Sequence, residues 1–420
     1  MNKRTRRILI AGGGFGGISA ALALEKEKKP NMEIMLVSDK PHFEYKPALY
    51  RVVTGRSPLE VCIPISEILG KKNIAFAVDE IKSIDPLKKV VKCVSGADYQ
   101  FDYLVLALGS ETAYFDIPGL KNFSFGFKSI SEAMRLKKHL HDLFVECKNR
   151  KGSIDEKISL LQVVVVGAGP SGVELTGELV VFMKRLAQEY GVDQSLISVD
   201  LIEAAPRILP AVSERVSRKV AHRLRHIGVN IFTNRSMTKE EMEQISVRGM
   251  TVKTETVVWT AGVEPNRLYK SIGGFSFDEK GRVVVDEFLR AKRFENIFIV
   301  GDGAATVNSG MAQTAIYDGY AVTENILRLM RNKPPETYRP KKAYYALPVG
   351  PGWAATSLGF ITFYGSIGWL MRRFADFRYF LSILPFQKAV TVFRRGKNLC
   401  DTCGICQPET GGPVKNNPIL

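Results

Sequence analysis

Ile8-Leu9-Ile10-Ala11-Gly12-Gly13-Gly14-Phe15-Gly16-Gly17 runs from an apolar strand former into Gly-x-Gly-x-x-Gly, and Ile18 to Leu24 continue it as a helix former. Such a loop lets the backbone come close to a pyrophosphate. Gly12 makes the tight turn, Gly14 removes a Cβ from the phosphate path, and Gly17 lets helix and strand pack. The stretch predicts the opening strand, turn and helix of a dinucleotide-binding α/β domain. A second strand is expected at Ile34-Met35-Leu36-Val37. Its end offers Ser38 or Asp39 to an adenosine ribose, with the register open by one residue.

Val163-Val164-Val165-Val166-Gly167-Ala168-Gly169-Pro170-Ser171-Gly172 repeats the pattern. A helix from Val173 to about Tyr190 should follow, and a strand Val199-Asp200-Leu201-Ile202 ending at Glu203. A carboxylate there suits two ribose hydroxyls and repels a 2′-phosphate, which favours NADH over NADPH. Arg207 nearby weakens that preference. Phe298-Ile299-Val300-Gly301-Asp302-Gly303-Ala304-Ala305 is a short apolar strand ending in Gly-Asp, placed to bond a flavin's ribityl chain and to open a helix toward its pyrophosphate. Tyr103 to Ser110, with Ala107 and Gly109, and Val257 to Val263, with Ala261 and Gly262, read as the strands returning from each nucleotide domain. Two such units in one chain imply one flavin site and one nicotinamide site.

At 420 residues, 45% hydrophobic and 24% charged, the chain is long enough for two or three domains with real cores. Its 36 Gly and 20 Pro exclude collagen-like and largely disordered classes. A formal charge of +16 favours phosphates or an anionic membrane surface as partners. The six cysteines form no disulfide framework, which suits a reducing compartment. Met1 to Arg7 is basic but leaves no room for a signal-peptide core before the first strand, so cytoplasmic exposure is expected. Residues 343–371 carry no charge, yet Pro348, Gly350, Pro351, Gly352, Gly359, Gly365 and Gly368 interrupt them. Thr356 to Tyr364 reads as strand rather than membrane span.

From Gly365 to Arg395, apolar residues recur at helical spacing: Ile367, Leu370, Met371, Phe374, Phe377, Phe380, Leu381 and Leu384. Arg372, Arg373, Arg378, Lys388, Arg394 and Arg395 outnumber Asp376. With Trp369 and Tyr379, this reads as a basic amphipathic helix, broken at Pro385, lying in the interface of an anionic membrane. A core-packing or dimer-interface helix is the alternative. The dense phenylalanines argue against nucleic acid. Beyond it, Cys400, Cys403 and Cys406 have C-x-x-C-x-x-C spacing with no fourth ligand following. A flexible tail with incidental thiols, a metal or iron–sulfur site completed elsewhere, and a redox pair all stay open, and no metal ligand is assigned.

In this order, the landmarks resemble the two-dinucleotide-binding flavoproteins. The disulfide-reductase branch expects a redox cysteine pair that is missing from Pro41 to Gly55. The chain more narrowly resembles type II NADH:quinone oxidoreductase. The resemblance rests on Gly12 to Gly17, Pro118-Gly119, Gly167 to Leu179 with its Val173-Glu174-Leu175-Thr176-Gly177-Glu178-Leu179, Glu203 to Pro210, Trp259 to Val263, Gly301-Asp302, and Ala312-Gln313-Thr314-Ala315. It implies an α/β fold of two Rossmann-like domains, the NADH domain inserted in the FAD domain, plus a C-terminal membrane-surface region. The corresponding segments are 1–115 and 281–335 for FAD, 116–280 for NADH, 336–397 for a hairpin and amphipathic helices, and 398–420 for a flexible cysteine tail. Two electrons pass from NADH through flavin to menaquinone or ubiquinone without proton pumping. The protein is expected to be a homodimer, peripheral on the cytoplasmic face of the cell membrane.

For FAD the expected residues are Gly12, Gly14, Phe15, Gly17, Ser38, Asp39, Ala107, Gly109, Gly301, Asp302, Ala312, Gln313 and Ala315. For NADH they are Gly167, Gly169, Pro170, Gly172, Glu174, Glu203, Ala261 and Gly262. The resemblance places Glu174 where nicotinamide and quinone react, as proton source or quinone-positioning group, and Gln313 on the quinone side. Glu178 shares a helix face with Glu174 at i, i+4, and is either a second buried acid or a salt-bridged surface residue. Tyr317 departs from the family's second glutamine. Sulfide:quinone oxidoreductase shares the architecture but needs cysteines around the flavin. None lies near the second glycine loop or from Ser110 to Phe144, and Cys147 is the nearest candidate. A flavin-bound redox sensor acting through the cysteine tail is a third reading.

Overall fold

The computed structural model describes residues 4–341 and 344–395, so the cysteine tail lies outside the described residues. The chain divides into two compact units. The first draws on 1–44, 63–111 and 263–343, and the second on 45–62, 112–262 and 344–420.

In the first unit, strand Arg6–Ala11 is central in a parallel five-stranded sheet. Tyr103–Leu106 and Met32–Ser38 flank it, with Ile297–Ile299 and Ala75–Val78 outermost. Ile8, Leu9, Ile10 and Ala11 are all buried, because a parallel strand covered on both faces has no polar side. Helix Phe15–Lys26 packs on helix Ala312–Met330. Gly319 permits their approach, since a Cβ there would come within 2.7 Å of the Gly16 carbonyl oxygen. An antiparallel meander, Ile81–Asp85, Val90–Cys93 and Asp98–Gln100, adds Ile84, Val91 and Cys93 to the core around Leu9 and Leu104.

The second unit repeats the plan. Gln162–Val166 is central between Thr256–Trp259 and Ser198–Ile202, with Phe125–Gly126 and Asn230–Phe232 outside. Helix Pro170–Tyr190 follows the glycine loop, with Pro170 at its first position, where a missing N–H costs nothing. A capping box between Ser129 and Glu132 starts the long helix Ile130–Asn149. The C-terminal part is an antiparallel trio, Ala346–Pro348, Ala354–Ser357 and Thr362–Phe363, then helices Gly365–Ile383 and Phe386–Arg395 with Pro385 between them. Among the described residues no helix is long and apolar enough to cross a membrane.

Three details differ from the sequence expectations. Residues 263–280 group with the first unit, while 45–62 and the C-terminal hairpin and helices group with the second. Gly301-Asp302 does not open a long helix. A single 3-10 turn, Gly301–Gly303, ends in extended Ala304, and the α-helix starts only at Ala312. Arg372, Arg373 and Asp376 are buried rather than presented outward, for reasons that belong to the site below.

Glu240 is an isolated acid within the antiparallel meander Met237–Glu241, Gln244–Val247 and Met250–Lys253 of the second unit. It is 3% exposed, and its Oε2 has no hydrogen-bond partner. Its backbone N–H donates to Pro118 O at 2.9 Å, and a Cβ on neighbouring Gly119 would strike its carbonyl oxygen. Burial pushes its carboxyl up to about 8. A free glutamate titrates near 4.3, so the stability contributed by protonated Glu240 is fully present below that pH and is lost as pH rises through about 8. Glu240→Gln is expected to raise the thermal midpoint at pH ~8 and to leave it unchanged at pH ~4. Unfolding scans of both proteins across that range check this.

Candidate functional site

The two glycine loops meet the same three steric demands, each within its own unit. Gly12 has φ +111° and Gly167 φ +102°, conformations that disfavour any side chain. A Cβ on Gly17 would run into the Gly12 carbonyl oxygen, and one on Gly172 into that of Gly167. At Gly14 and Gly169, by contrast, a Cβ would meet nothing within 4 Å. These middle glycines front open space at the start of a helix that no side chain caps. That is the arrangement a pyrophosphate needs, so both loops fit a dinucleotide. Gly169→Val is expected to keep the flavin but slow its reduction by NADH about 100-fold, whereas Gly14→Val should emerge without flavin. Absorbance of the purified proteins and anaerobic NADH titration separate the two effects.

In the first unit, Ser38 ends its strand buried against the loop, since a Cβ on Gly13 would come within 2.7 Å of its Oγ. Asp39 is exposed. Phe15 packs edge-on against Phe43 at 4.9 Å between ring centroids. The Ala107 carbonyl lies against Gly12, leaving no room there for a Cβ, and Gly109 turns the chain at φ +70°. Asp302 takes a hydrogen bond from the Ser110 hydroxyl. Ala315 is wedged between two turns. Its carbonyl faces Gly16, and its methyl lies 3.1 Å from where a Gly301 Cβ would stand. Ala312 and Gln313 open the same helix, and the Gln313 amide reaches the Tyr317 hydroxyl at 3.5 Å. The residue that departs from the family pattern therefore contacts the glutamine itself, with Lys341 Nζ 4.7 Å from its ring centre.

Sequence reasoning missed Asp318. Its Oδ2 accepts the Gly301 N–H at 2.9 Å, fixing the turn that carries Asp302. Burial pushes its carboxyl up to about 6, against the lowering effect of Tyr338 and Gly301.

In the second unit, Ala261 packs so closely on Gly167 that a Cβ there would sit about 2.5 Å from its Cα, and Gly262 makes room for the Phe115 ring. Glu203 accepts the N–H groups of Ala168 at 2.7 Å and Ala205 at 2.9 Å, which holds its carboxylate beside the loop. Arg207, the residue that weakened the NADH preference, donates instead to the carbonyls of Leu209 and Pro210, at 2.9 and 2.7 Å.

Glu174 and Glu178 both face a buried ionic cluster. Arg372 Nη1 lies 3.8 Å from Glu174 Oε1, and its Nε lies 3.0 Å from Asp376. Asp376 also accepts from Tyr45 at 2.7 Å and from Arg51 at 3.0 Å. Glu60 binds Arg51 at 2.7 Å and Arg373 at 2.8 Å. Burial pushes Asp376 up, but Arg372, Arg51, the Tyr45 hydroxyl and Arg373 together hold it below the usual range. Glu174 is different. Burial raises it to about 7, with Arg372 opposing and Asp376 adding to the rise. Burial also raises Glu178, against Arg51 and Arg56, and the residue is half-buried on the same helix face as Glu174.

Arg372, Arg373 and Asp376 point into this cluster, so helix Gly365–Ile383 turns these three charges inward and, beside the exposed Arg378, a row of apolar side chains outward. Ile367, Leu370 and Phe374 are each about 60% exposed or more, and Phe360 in the preceding turn is fully exposed. The periodicity was legible, but which stripe faces the core depends on Arg51 and Glu60, far away in sequence. Among the described residues, no group of three His, Cys, Asp or Glu could hold a metal ion.

Comparison with known proteins gives a consistent neighbourhood. Residues 6–319 match the pyridine nucleotide-disulphide oxidoreductase family. The type II NADH:quinone oxidoreductase of Staphylococcus aureus is 30% identical over 351 residues, covering 80% of this chain and 86% of that protein. NDH2 from Plasmodium falciparum in complex with NADH has a TM-score of 0.83 at 18% identity, covering 93% of this chain and 97% of that one. The sulfide:quinone oxidoreductase of Aquifex aeolicus has a TM-score of 0.74 at 21% identity, covering 93% and 92%. The match spanning both glycine loops and the alignment with the staphylococcal enzyme lead to one conclusion: the chain belongs to the pyridine nucleotide-disulphide oxidoreductases and, within them, to the type II NADH:quinone oxidoreductase family.

Proposed function

We propose that this protein is an FAD-dependent oxidoreductase that takes two electrons from NADH and delivers them to a membrane quinone, menaquinone or ubiquinone, without pumping protons. The observation that carries the reading is a single helix, Pro170–Tyr190. It opens at a dinucleotide loop, bears in its first turns a carboxyl that titrates near neutrality, and meets through Arg372 a helix with an apolar outer face. Nucleotide binding, proton supply and a lipid-compatible surface thus lie in one unit.

When bound, the flavin supplies the two-electron redox chemistry. The chain's own residues do the rest. Gly169 leaves the pyrophosphate path open, and Glu203, with Arg207 engaged elsewhere, selects a nucleotide without a 2′-phosphate. Glu174, at about 7, holds a proton on its Oε atoms that it can release and regain at neutral pH. Gln313, steadied by Tyr317, is the amide for the quinone side. The exposed apolar residues Phe360, Ile361, Ile367, Leu370 and Phe374 are the membrane contact, which makes the protein peripheral. The cytoplasmic face and a homodimer complete the reading, and light scattering of the detergent-solubilised protein tests the latter.

The sulfide reading is disfavoured by the thiols. Cys147 is 2% exposed in a helix core, and burial raises its thiol, the opposite of an activated nucleophile. The test is anaerobic. NADH should bleach the flavin, and a short-chain quinone should restore it. Bleaching by sulfide with no response to NADH would overturn the proposal.

A further inference from the structure

The helix Glu214–Ile227 of the second unit buries Val216, Ser217, Val220 and Leu224. The opposite face carries Arg215, Arg218 and Lys219, all exposed at i, i+3 and i+4. Its one acid, Glu214, pairs with Arg218 at 3.5 Å, so the ridge stays strongly basic. The ridge is not remote from the apolar surface. Lys219 Nζ stands 4.2 Å from the centre of the Tyr364 ring, and the charge of Arg215 acts on the same phenol. Tyr364 is the N-cap of the helix that exposes Ile367, Leu370 and Phe374, and it follows the turn that exposes Phe360 and Ile361. Basic and apolar surfaces are therefore continuous within one unit.

We propose that this ridge binds the phosphate headgroups of anionic phospholipids, so that the nucleotide-binding part of the protein contributes the electrostatic arm of membrane attachment. The inference rests on the reading of the apolar face as the membrane contact. A cationic edge beside an apolar wedge matches the membrane interface, where phosphates border acyl chains. Nucleic acid offers phosphates but nothing for the adjoining apolar side chains. The inward-turned Arg372 and Arg373 add to the case, because they leave Arg378 as the exposed basic residue of helix Gly365–Ile383, and the ridge enlarges the charge beside its apolar face.

The experiment is flotation of the flavin-loaded protein with two kinds of vesicle, pure phosphatidylcholine and equimolar phosphatidylcholine and phosphatidylglycerol. Wild type should prefer the anionic vesicles, and added salt should weaken that preference. The triple variant Arg215→Gln, Arg218→Gln, Lys219→Gln should lose about 100-fold in partitioning to anionic vesicles, roughly fivefold per charge, and match wild type on neutral ones. Its reduction of ferricyanide by NADH should be unchanged, which shows an intact fold. Wild-type partitioning of the triple variant to anionic vesicles overturns the inference, as does tighter binding of the ridge to duplex DNA than to vesicles. A second variant, Phe360→Ser with Leu370→Ser, isolates the underlying reading. If it floats with both vesicle types like wild type, the apolar face is not the membrane contact, while the ridge stands or falls on the triple variant. Failure of the wild type to float with either vesicle overturns both.

Discussion

Glu174→Gln is expected to slow electron delivery to quinone by about 100-fold or more, within the range that loss of a positioned acid costs. The argument begins with burial. A carboxyl whose side chain is 12% exposed cannot be charged cheaply, and burial raises it to about 7 despite Arg372. It is therefore close to half protonated at neutral pH, able both to give a proton and to take one back. Glutamine keeps the shape and the hydrogen-bonding oxygen but cannot exchange a proton. A donor must be protonated to act, so in wild type the quinone step should slow as pH rises above about 7, and the variant should lose that limb. Stopped-flow reoxidation of the reduced flavin by quinone across pH reads both effects. An unaltered pH limb in the variant would assign the proton to another group, with Glu178 the neighbouring candidate.

Asp376→Asn should destabilise the second unit by about 3–5 kcal/mol, the cost of removing one partner from a buried ion cluster. Asp376 is 1% exposed and faces Arg51, Arg372 and the Tyr45 hydroxyl. Neutralising it leaves buried guanidinium charge that water cannot reach. A lower urea midpoint, followed by tryptophan fluorescence, measures the loss. The same variant has a chemical signature. Asp376 helps to raise Glu174, so its removal should move the pH limb of the quinone step to more acidic pH. A purely structural role for Asp376 predicts the weaker fold without the shifted limb.

The glycine loops were legible because their requirement is local. A turn at positive φ, an open approach and a close helix contact are each written in one residue type at fixed spacing. The strands beside them were legible as unbroken apolar runs, for the same reason that their sheets are covered on both faces. The ionic cluster was not legible. Arg51 and Asp376 lie 325 positions apart, and Glu60 and Arg373 lie 313 apart, so no window of sequence contains both partners. Read alone, Arg372 and Arg373 look like solvent-facing charge on an amphipathic helix, since a helical period fixes a stripe but not what it faces. Glu178 is intermediate. Its shared face with Glu174 was visible at i, i+4, while its burial depended on elements elsewhere in the chain. The Gly301-Asp302 helix was misplaced because a strand ending in Gly-Asp looks the same whether a helix begins at once or ten residues later.

The span of that cluster also sets a schedule for biosynthesis. Arg51 and Glu60 leave the ribosome early and are partners of each other, yet their second partners, Asp376 and Arg373, arrive 325 and 313 positions later. At about 5–20 residues per second, the nascent chain waits roughly 15 seconds to a minute with the cluster half assembled. The first sheet can form meanwhile, except for its last strand, Ile297–Ile299. The second unit closes only when the C-terminal helix emerges, bringing its apolar outer face with it. Completion of the ionic cluster and display of the apolar outer face are thus a single late event, and the chain presents that face only once its interior cluster is complete.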